Sequence, residues 1–307
     1  MNQKECVLIT GCGGMLGKAV YEKATKKYGV DNVHATDIDI NEKWLSMLDV
    51  RDIKAYEKAF IDLKPSIVIH LAALTDLEYC EKNLNEAWTT NALGPENATI
   101  LCRKYNCLLV YISTAGIFGG EKDEYADFDT PNPLSYYAKS KYHGEQFIEK
   151  HLYKYFIFRA GWMMGGGLSK DKKFINKIYK QIKSGSKELF VVDDKLGTPT
   201  YTMDFASSLL KVIDSGYYGL YNQVCEGSCS RLDVAEEFVK LLDLKDKIKV
   251  TRVSSDYFKE EYFAPRPASE KLFNLKLTTR GINYMRDWRI CLAEYSEEFK
   301  KDFYGTL

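Results

Sequence analysis

Tyr137 and Lys141 are the residues of this sequence whose types and spacing most directly suggest chemistry. Side chains four residues apart lie on the same face of a helix, so the phenol and the ammonium would be neighbours. A nearby cation lowers the pKa of a phenol from its usual value of about 10, which makes it a usable proton donor and acceptor. Thr114 ends an earlier apolar run, and its hydroxyl would hold a substrate oxygen against Tyr137. We therefore predict that Thr114, Tyr137 and Lys141 are catalytic.

The spacing alone does not single out this pair, because Tyr179 and Lys183 stand at the same distance in the sequence. Two such pairs are no more than chance provides in a chain with this many tyrosines and lysines. The context separates them. Tyr137 follows a predicted strand that ends at Thr114, whereas Tyr179 lies in a lysine-rich helical segment without such a hydroxyl.

A glycine-rich loop between a predicted strand and a predicted helix forms a second candidate site. Its glycines follow the spacing Gly-x-x-Gly-x-x-Gly, which departs from the common Gly-x-Gly-x-x-Gly of dinucleotide-binding proteins. Glycines let the backbone approach a pyrophosphate, and the N-terminus of the following helix offers free N–H groups to it. A tight structural turn is the alternative interpretation. The predicted cofactor-binding residues of the loop are Thr10, Gly11, Gly13, Gly14, Met15, Leu16 and Gly17.

Asp37 stands at the end of the second predicted strand, where dinucleotide-binding proteins carry an acidic residue. Its carboxylate would accept hydrogen bonds from the adenosine ribose hydroxyls, and Asp49 and Val50 would flank the adenine. A helix-capping aspartate is the alternative. Because a carboxylate repels a 2′-phosphate, we expect NAD(H) to be preferred, with NADP(H) also accepted since Lys43 and Arg51 are near in sequence.

The elements that must position these residues alternate between strand and helix. The predicted strands are Val7–Thr10, Asn32–Thr36, Ile67–Leu71, Leu108–Ser113 and Tyr155–Arg159, and the predicted helices run from Gly17 to Lys27, Arg51–Leu63, about Glu81–Arg103 and Tyr136–Lys150. Short apolar strands separated by helices are typical of βαβ units. The pattern predicts an α/β fold with a Rossmann-type, doubly wound parallel sheet.

The regular alternation weakens after Gly161. We expect residues 1–160 to form an NAD(P)-binding domain and residues 161–307 to form mainly a smaller α/β substrate-binding lobe. Strands from about 197–225 are expected to return to the first domain. The glycine run Gly165–Gly167 suggests a lid that opens over the site.

The composition excludes several classes of function. The chain has 307 residues, and its 43 basic residues balance its 43 acidic ones, so no cationic excess favours nucleic acid or a membrane surface. No run approaches the roughly 20 apolar residues that span a bilayer, and residues 1–6 show no signal-peptide core. The eight cysteines form no Cys-x-x-Cys pair, so we expect reduced thiols, no metal and a cytoplasmic protein, with a homodimer left open.

Taken together, the glycine loop, the strand end at Thr114 and the Tyr137–Lys141 pair resemble the extended short-chain dehydrogenase/reductase family. Two further stretches, Ala72-Ala73 with Thr75 and Asn91-Ala92-x-Gly94, are similar to the segment after the third strand of that family. The resemblance implies that Leu71, Ala72 and Ala73 line the cofactor, as do Tyr137 and Lys141. It also implies that Thr75, Asn91 and Thr114 contact the substrate.

Within that family, three stretches look like the dTDP-4-dehydrorhamnose reductases: Arg159-x-x-Trp162, Gly197-Thr198-Pro199-Thr200, and Ala264-Pro265-Arg266-Pro267 with Ser269 and Leu272. By this resemblance Trp162 would flank a hexose, and Arg266 would meet a phosphate. A core tryptophan and a surface arginine are the alternatives. The implied activity is NAD(P)H-dependent reduction of the 4-keto group of a nucleotide-linked 4-keto-6-deoxyhexose in deoxysugar or surface polysaccharide biosynthesis.

Two departures keep other functions open. Ala115-Gly116 replaces an Asp-Tyr pair that these reductases usually carry, and Lys195 replaces a glutamine. Small residues after Thr114 also occur in nucleotide-sugar 4-epimerases, although those enzymes usually differ at Gly197–Thr200. A non-catalytic subunit, similar to the regulatory subunit of methionine adenosyltransferase, is the other alternative. The retained Thr114, Tyr137 and Lys141 favour the reductase.

Overall fold

A computed structural model describes residues 5–305, so the predicted absence of a leader, which concerns residues 1–6, lies partly outside the described residues. The strands are β1 (Val7–Thr10), β2 (Val33–Asp37), β3 (Leu45–Met47), β4 (Ile67–His70), β5 (Leu108–Thr114), β6 (Tyr155–Ala160), β7 (Trp162–Met164), β8 (Glu188–Val192), β9 (Leu196–Gly197), β10 (Pro199–Tyr201), β11 (Gly219–Asn222), β12 (Cys229–Ser230), β13 (Lys249–Val253) and β14 (Ser269–Glu270).

The helices surround these strands and end close to the predicted positions in the first half of the chain. They are α1 (Gly17–Tyr28), α2 (Ile53–Leu63), α3 (Leu77–Lys82), α4 (Leu84–Trp88), α5 (Gly94–Tyr105), α6 (Tyr136–His151), α7 (Gly167–Lys170), α8 (Phe174–Lys183), α9 (Thr202–Asp214), α10 (Arg231–Leu241), α11 (Leu275–Thr279) and α12 (Trp288–Tyr304). In the described part of the chain, no helix is long and apolar enough to cross a bilayer.

The central sheet has seven strands in the order β3-β2-β1-β4-β5-β6-β11. All its pairings are parallel, for example Val7 with Val33 on one side of β1 and Val7 with Ile67 on the other. The residues of β1 and β4 are fully buried, as expected for strands covered by helices on both faces. This topology confirms the predicted doubly wound α/β fold. The chain order reverses between β1 and β4, which is where such sheets open a crevice for ligands.

The single long helix predicted over Glu81–Arg103 is wrong. The segment contains α3, α4 and α5, with a wider π-type turn over Thr89–Leu93 before α5. Pro95 stands in the first turn of α5, where its missing N–H is tolerated, but it cannot donate to a preceding turn of the same helix. The helix therefore widens just before the proline, and this places Asn91 in the turn.

The second half of the chain contributes both to this sheet and to smaller ones. Strand β11 pairs with β6 at the edge of the central sheet, with Gly219 opposite Phe156. Smaller sheets pair β10 with β7 and β13 with β8, and a three-stranded sheet has the order β12-β9-β14. The chain beyond residue 160 thus crosses between the central sheet and these smaller sheets, and the division at residue 160 stays a prediction.

Candidate active site

A cleft of about 1190 Å³ opens where the strand order reverses. Pockets for one small molecule typically measure about 300–1,000 Å³, so this cleft is larger than most sites for a single small ligand. The residues of the sequence-based site that line it are Gly11, Gly13, Gly14, Met15, Leu16, Asp37, Asp49, Val50, Leu71, Ala72, Ala73, Thr75, Thr114, Tyr137, Lys141, Trp162 and Arg266. Three predicted residues, Thr10, Gly17 and Asn91, do not line it.

The glycine loop lies at the carboxyl end of β1, against the loop that follows β4. Gly11 has φ +73°, and a Cβ there would lie 2.3 Å from the backbone nitrogen of Ala72. At Gly14 the nearest neighbour of such an atom would be 3.6 Å away, so the loop surface stays open to the cleft. These residues fit a dinucleotide whose pyrophosphate needs close backbone approach and free N–H groups at a helix start.

Thr10 and Gly17 support this loop from behind, which corrects their predicted contact with a cofactor. Thr10 is fully buried, and its Oγ1 lies 3.2 Å from Nδ1 of His70 on β4. A Cβ on Gly17 would lie only 1.9 Å from the carbonyl oxygen of Cys12, so glycine is needed for α1 to pack against the strand end. Both residues shape the cradle without facing it.

Asp37 ends β2 at the rim of the cleft, beside the glycine loop. Its Oδ2 accepts a hydrogen bond from the Gly13 amide at 2.8 Å, and its Oδ1 accepts one from the Asp39 amide at 2.9 Å. The nearest lining cation in sequence, Arg51, donates to Asp49 at 2.7 Å and lies 3.7 Å from Glu86. The carboxylate of Asp37 therefore lies where the prediction puts it, and the charge of Arg51 is already compensated.

The predicted catalytic residues come together on the floor of the cleft. Tyr137 stands in the first turn of α6, whose start is capped by the Ser135 side chain, and Lys141 follows one turn later. Thr114 ends β5, and its hydroxyl accepts a hydrogen bond from the Gly116 amide at 3.1 Å. The Thr114 hydroxyl also lies close enough to the Tyr137 phenol to lower its pKa. The arrangement aims two hydroxyls and one ammonium at a single region.

The electrostatics of this group differ from the expectation. Burial raises the pKa of Tyr137, and the nearby Thr114 hydroxyl only partly opposes the rise. Burial lowers the pKa of Lys141 to about 7, against the opposing charge of Glu145. The expected lowering of the tyrosine pKa by Lys141 is therefore wrong, because loss of water outweighs the effect of a lysine that itself tends toward the neutral form.

Trp162 forms part of one wall of the cleft. Its Nε1 donates to Oε2 of Glu270 at 2.7 Å, and the guanidinium carbon of Arg231 lies 3.7 Å from its ring centroid. Arg231 also lies 4.9 Å from the ring of Phe174. Neither Arg231 nor Glu270 was among the predicted site residues. Glu270 stands within the quoted stretch around Arg266, but no pattern in the sequence distinguishes Arg231 from other helix-start residues.

The remaining predicted substrate residues are held by the protein itself. Arg266 forms a two-pronged ion pair with Glu78, with nitrogen–oxygen distances of 2.7 and 3.0 Å. Thr75 accepts hydrogen bonds from Lys173 through its carbonyl and its hydroxyl, at 2.8 and 3.2 Å. Both residues line the cleft, and Arg266 would have to exchange Glu78 for a phosphate.

Asn91 does not contact the cleft, which corrects its predicted role. It is fully buried, and its amide accepts from the Leu74 nitrogen at 2.8 Å and donates to the Leu74 carbonyl at 2.9 Å. Asn91 therefore fixes the loop after β4 and does not bind substrate. The segment Asn91-Ala92-x-Gly94, which suggested a substrate contact, therefore contains a residue whose hydrogen bonds hold a loop in place.

The second tyrosine–lysine pair, Tyr179 and Lys183, has a structural role. Both side chains bond to the carboxylate of Asp302 on α12. The hydroxyl of Tyr179 is thus committed to a contact between helices, and neither residue lines the cleft. The sequence context favoured Tyr137 and Lys141 over this second pair, and of the two pairs it is Tyr137 and Lys141 that line the cleft.

The structure shows no metal-binding arrangement in residues 5–305, where no three His, Cys, Asp or Glu side chains gather suitably. The eight cysteines are free thiols, and all but Cys6 are buried. Burial raises the pKa of Cys12, which lies beside the glycine loop, so the thiol is held protonated.

A parallel sheet that opens at its switch point over a glycine cradle, with a threonine, a tyrosine and a lysine in the cleft, is the arrangement of the extended short-chain dehydrogenase/reductase class. Residues 5–301 match the RmlD substrate binding domain family, and the chain belongs to that family.

Proteins of similar sequence are named as dTDP-4-dehydrorhamnose reductases or as a polysaccharide biosynthesis protein. The chain is 30% identical over 293 residues to spore coat polysaccharide biosynthesis protein SpsK of Bacillus subtilis, covering 95% of this chain and 97% of that protein. It is 31% identical over 297 residues to dTDP-4-dehydrorhamnose reductase of Mycobacterium tuberculosis, covering 95% and 92%. The crystal structure of dTDP-4-dehydrorhamnose reductase from Bacillus anthracis in complex with NADP aligns with a TM-score of 0.87 and 30% identity, covering 96% and 100%.

Proposed function

We propose that this protein reduces the 4-keto group of a nucleotide-linked 4-keto-6-deoxyhexose, using a nicotinamide cofactor, in the biosynthesis of a deoxysugar for surface polysaccharide. Membership of the reductase family supports the reaction, and the names of the relatives support the substrate class. The observation that carries the proposal is the joint placement of Thr114, Tyr137 and Lys141 in the cleft that the glycine cradle also lines.

In the proposed mechanism, a bound NADH or NADPH supplies the hydride that reduces C4. Tyr137 donates its phenolic proton to the carbonyl oxygen, which becomes the hydroxyl of the product. Thr114 holds the same oxygen by a hydrogen bond, and the Lys141 ammonium stabilises the phenolate that is left. Solvent then returns a proton to Tyr137. Proton donation of this kind contributes roughly 10²–10⁴-fold to the rate, and positioning of the reactants supplies much of the remainder.

The raised pKa of Tyr137 suits this direction of reaction. A reduction needs the phenol in its protonated form, and burial keeps it protonated throughout the neutral range.

We further propose that the glycine cradle, Asp37, Asp49 and Val50 hold the adenosine diphosphate half of the cofactor, with NADH preferred. The position of the Asp37 carboxylate beside the cradle supports this preference, because it would accept ribose hydroxyls and repel a 2′-phosphate. The ion pairs of Arg51 with Asp49 and Glu86 support it too, since they offset a positive charge that would otherwise attract that phosphate.

A strap across the cleft is consistent with a cofactor that exchanges in every cycle. The segment 165–173 bears Lys170, which bonds to Asn41, and Lys173, which bonds to Thr75 at 2.8 Å. These two lysines join the second half of the chain to loops after β2 and β4. Opening the cleft on this side would break these lysine contacts and the Lys170–Glu42 ion pair, while Tyr295 keeps Gly165 and Asp171 bonded to the rest of the protein.

The test uses the purified protein, NADH and a nucleotide 4-keto-6-deoxyhexose. We expect little bound NAD after purification and oxidation of NADH only when the sugar is present, in equal amounts. With NADH carrying deuterium at C4, the label should appear at C4 of the sugar. Tightly held NAD⁺ with interconversion of two hydroxyl epimers would instead indicate an epimerase. Neither activity, with nucleotide still bound, would indicate a non-catalytic binding subunit.

A further inference from the structure

Trp162 packs against the small sheet β12-β9-β14. It contacts one residue from each strand or from the position directly after it. A Cβ on Gly197, in the middle strand, would lie 2.2 Å from Cε2 of the indole, so only glycine lets the ring lie there. Arg231 directly follows β12 and stacks on the ring, and Glu270 ends β14 and binds its N–H. These three contacts fix the orientation of the indole before any ligand arrives.

The two oxygens of Glu270 have different partners. Oε2 accepts the indole N–H of Trp162 at 2.7 Å, whereas Oε1 accepts no hydrogen bond from residues 5–305. Oε1 lies 3.6 Å from the point where Gly116 would carry a Cβ, and that point is 3.5 Å from Oγ1 of Thr114. The open oxygen of the carboxylate and the Thr114 hydroxyl therefore border the same space beside Gly116, which has no side chain to fill it.

We infer that Glu270 is a specificity-determining residue, whose Oε1 accepts a hydrogen bond from the C3 hydroxyl of the sugar. The inference rests on the proposed function, in which Thr114 and Tyr137 hold the oxygen at C4. Of the two carbons beside C4 in a 6-deoxyhexose, C5 carries the methyl group and C3 carries the hydroxyl. An acceptor one residue away from Thr114 is therefore matched to C3.

The surroundings of Glu270 support an ionised acceptor. Arg231 is close enough to interact electrostatically with the carboxylate, and its positive charge offsets the cost of placing a negative one in the cleft. No carboxylate of residues 5–305 lies within ion-pair distance of Arg231, unlike Arg266, which is bound by Glu78. Hydrogen bonds to a charged group contribute about 1.5–3 kcal/mol, which corresponds to a preference of at least tenfold.

A purely structural role for Glu270, holding Trp162 in place, is the competing explanation, and Glu270→Gln separates the two. The indole N–H must still be bonded to an oxygen, so the glutamine amide oxygen takes the place of Oε2. The amide NH₂ then faces the sugar in place of Oε1. The substitution thus keeps Trp162 fixed while an acceptor becomes a donor.

The experiment measures binding of two nucleotide 6-deoxyhexoses, one with and one without the C3 hydroxyl, by calorimetry. We expect the wild-type protein to bind the hydroxylated sugar at least tenfold more tightly, and Glu270→Gln to reduce that ratio to about threefold or less. Glu261→Gln, which alters an exposed carboxylate elsewhere on the cleft rim, is the matched control and should keep the wild-type ratio.

An equal ratio in wild type and Glu270→Gln, or no binding of either sugar by the wild type, would overturn the inference. Turnover measured in parallel tests the proposed function independently. A ratio that falls in Glu270→Gln, in a protein that never oxidises NADH with either ketosugar, would retain the role of Glu270 and reject the reductase.

Discussion

The ammonium of Lys141 lies 4.1 Å from the centroid of the Tyr111 ring, on the strand that ends in Thr114. The Tyr111 hydroxyl in turn donates to the Lys141 carbonyl at 3.2 Å, so the two residues hold each other. An aromatic face attracts a cation but hydrates it poorly, and burial accordingly lowers the pKa of Lys141 to about 7. The lysine is therefore poised to change charge in the physiological range.

A pH dependence follows from this value. Below about pH 7 the ammonium is charged and stabilises the Tyr137 phenolate, and above it the charge is lost. We expect kcat/KM for NADH to decrease as the pH rises through about 7, with the profile of a single ionising group. His70 does not titrate there, because burial lowers its pKa to about 3.

The matched variant for this profile is Lys141→Arg, since a guanidinium stays charged across the range. Its activity is expected to be lower, but its profile should be flat to about pH 9. A falling limb that persists in Lys141→Arg would assign the titration to another group.

Removing the phenolic hydroxyl of Tyr137 tests the proton donor. Tyr137→Phe should lose at least about two orders of magnitude in kcat while cofactor affinity stays near wild type, because only the proton transfer is removed. Tyr136→Phe is the control, since this neighbour carries the same group but does not line the cleft. Similar losses in the two variants would refute the assignment of Tyr137.

Cofactor choice tests the role of Asp37. We expect kcat/KM to favour NADH, and Asp37→Ala to shift the ratio at least tenfold toward NADPH, about 1.4 kcal/mol, because a repulsive charge is removed. Asp39→Ala is a suitable control, as this carboxylate is exposed beside the same loop. A wild-type enzyme that prefers NADPH tenfold would show that Asp37 does not contact the ribose.

A buried ion pair beneath the site predicts a large effect on stability. Arg159 and Glu145, 4% and 0% exposed, pair at 2.7 Å between α6 and β6. Glu145→Gln leaves the guanidinium buried without its counter-charge, and we expect the free energy of unfolding to fall by about 3–5 kcal/mol. The exposed pair of Lys58 and Asp62 is the reference, where Asp62→Asn should cost less than about 1 kcal/mol. Urea denaturation of both variants makes the comparison, and equal losses would contradict it.

The sequence allowed the half of the site built on regular strands to be predicted, because apolar runs and glycine spacing are local signals. Gly11, Asp37, Thr114, Tyr137 and Lys141 each stand at the end of a strand or the start of a helix, and such positions meet at one edge of a parallel sheet. Their placement along the cleft follows from the topology alone.

Properties that depend on distant neighbours could not be predicted in this way. Asn91 matched a family segment, yet its amide is committed to Leu74, and only the folded turn before Pro95 reveals this bond. The pKa of Tyr137 was misjudged because spacing on a helix shows a nearby lysine but not the loss of water around both groups. Glu270 and Trp162 are 108 residues apart and meet only through the pairing of short strands.

The short strands β9, β12 and β14 have an evolutionary consequence. They carry the wall around Trp162 but none of the residues assigned to proton transfer, and their pairing involves only two residues each. Substitutions at positions such as 231 and 270 can therefore accumulate without disturbing the large parallel sheet. A lineage can in this way change which sugar it accepts while inheriting its reduction chemistry intact.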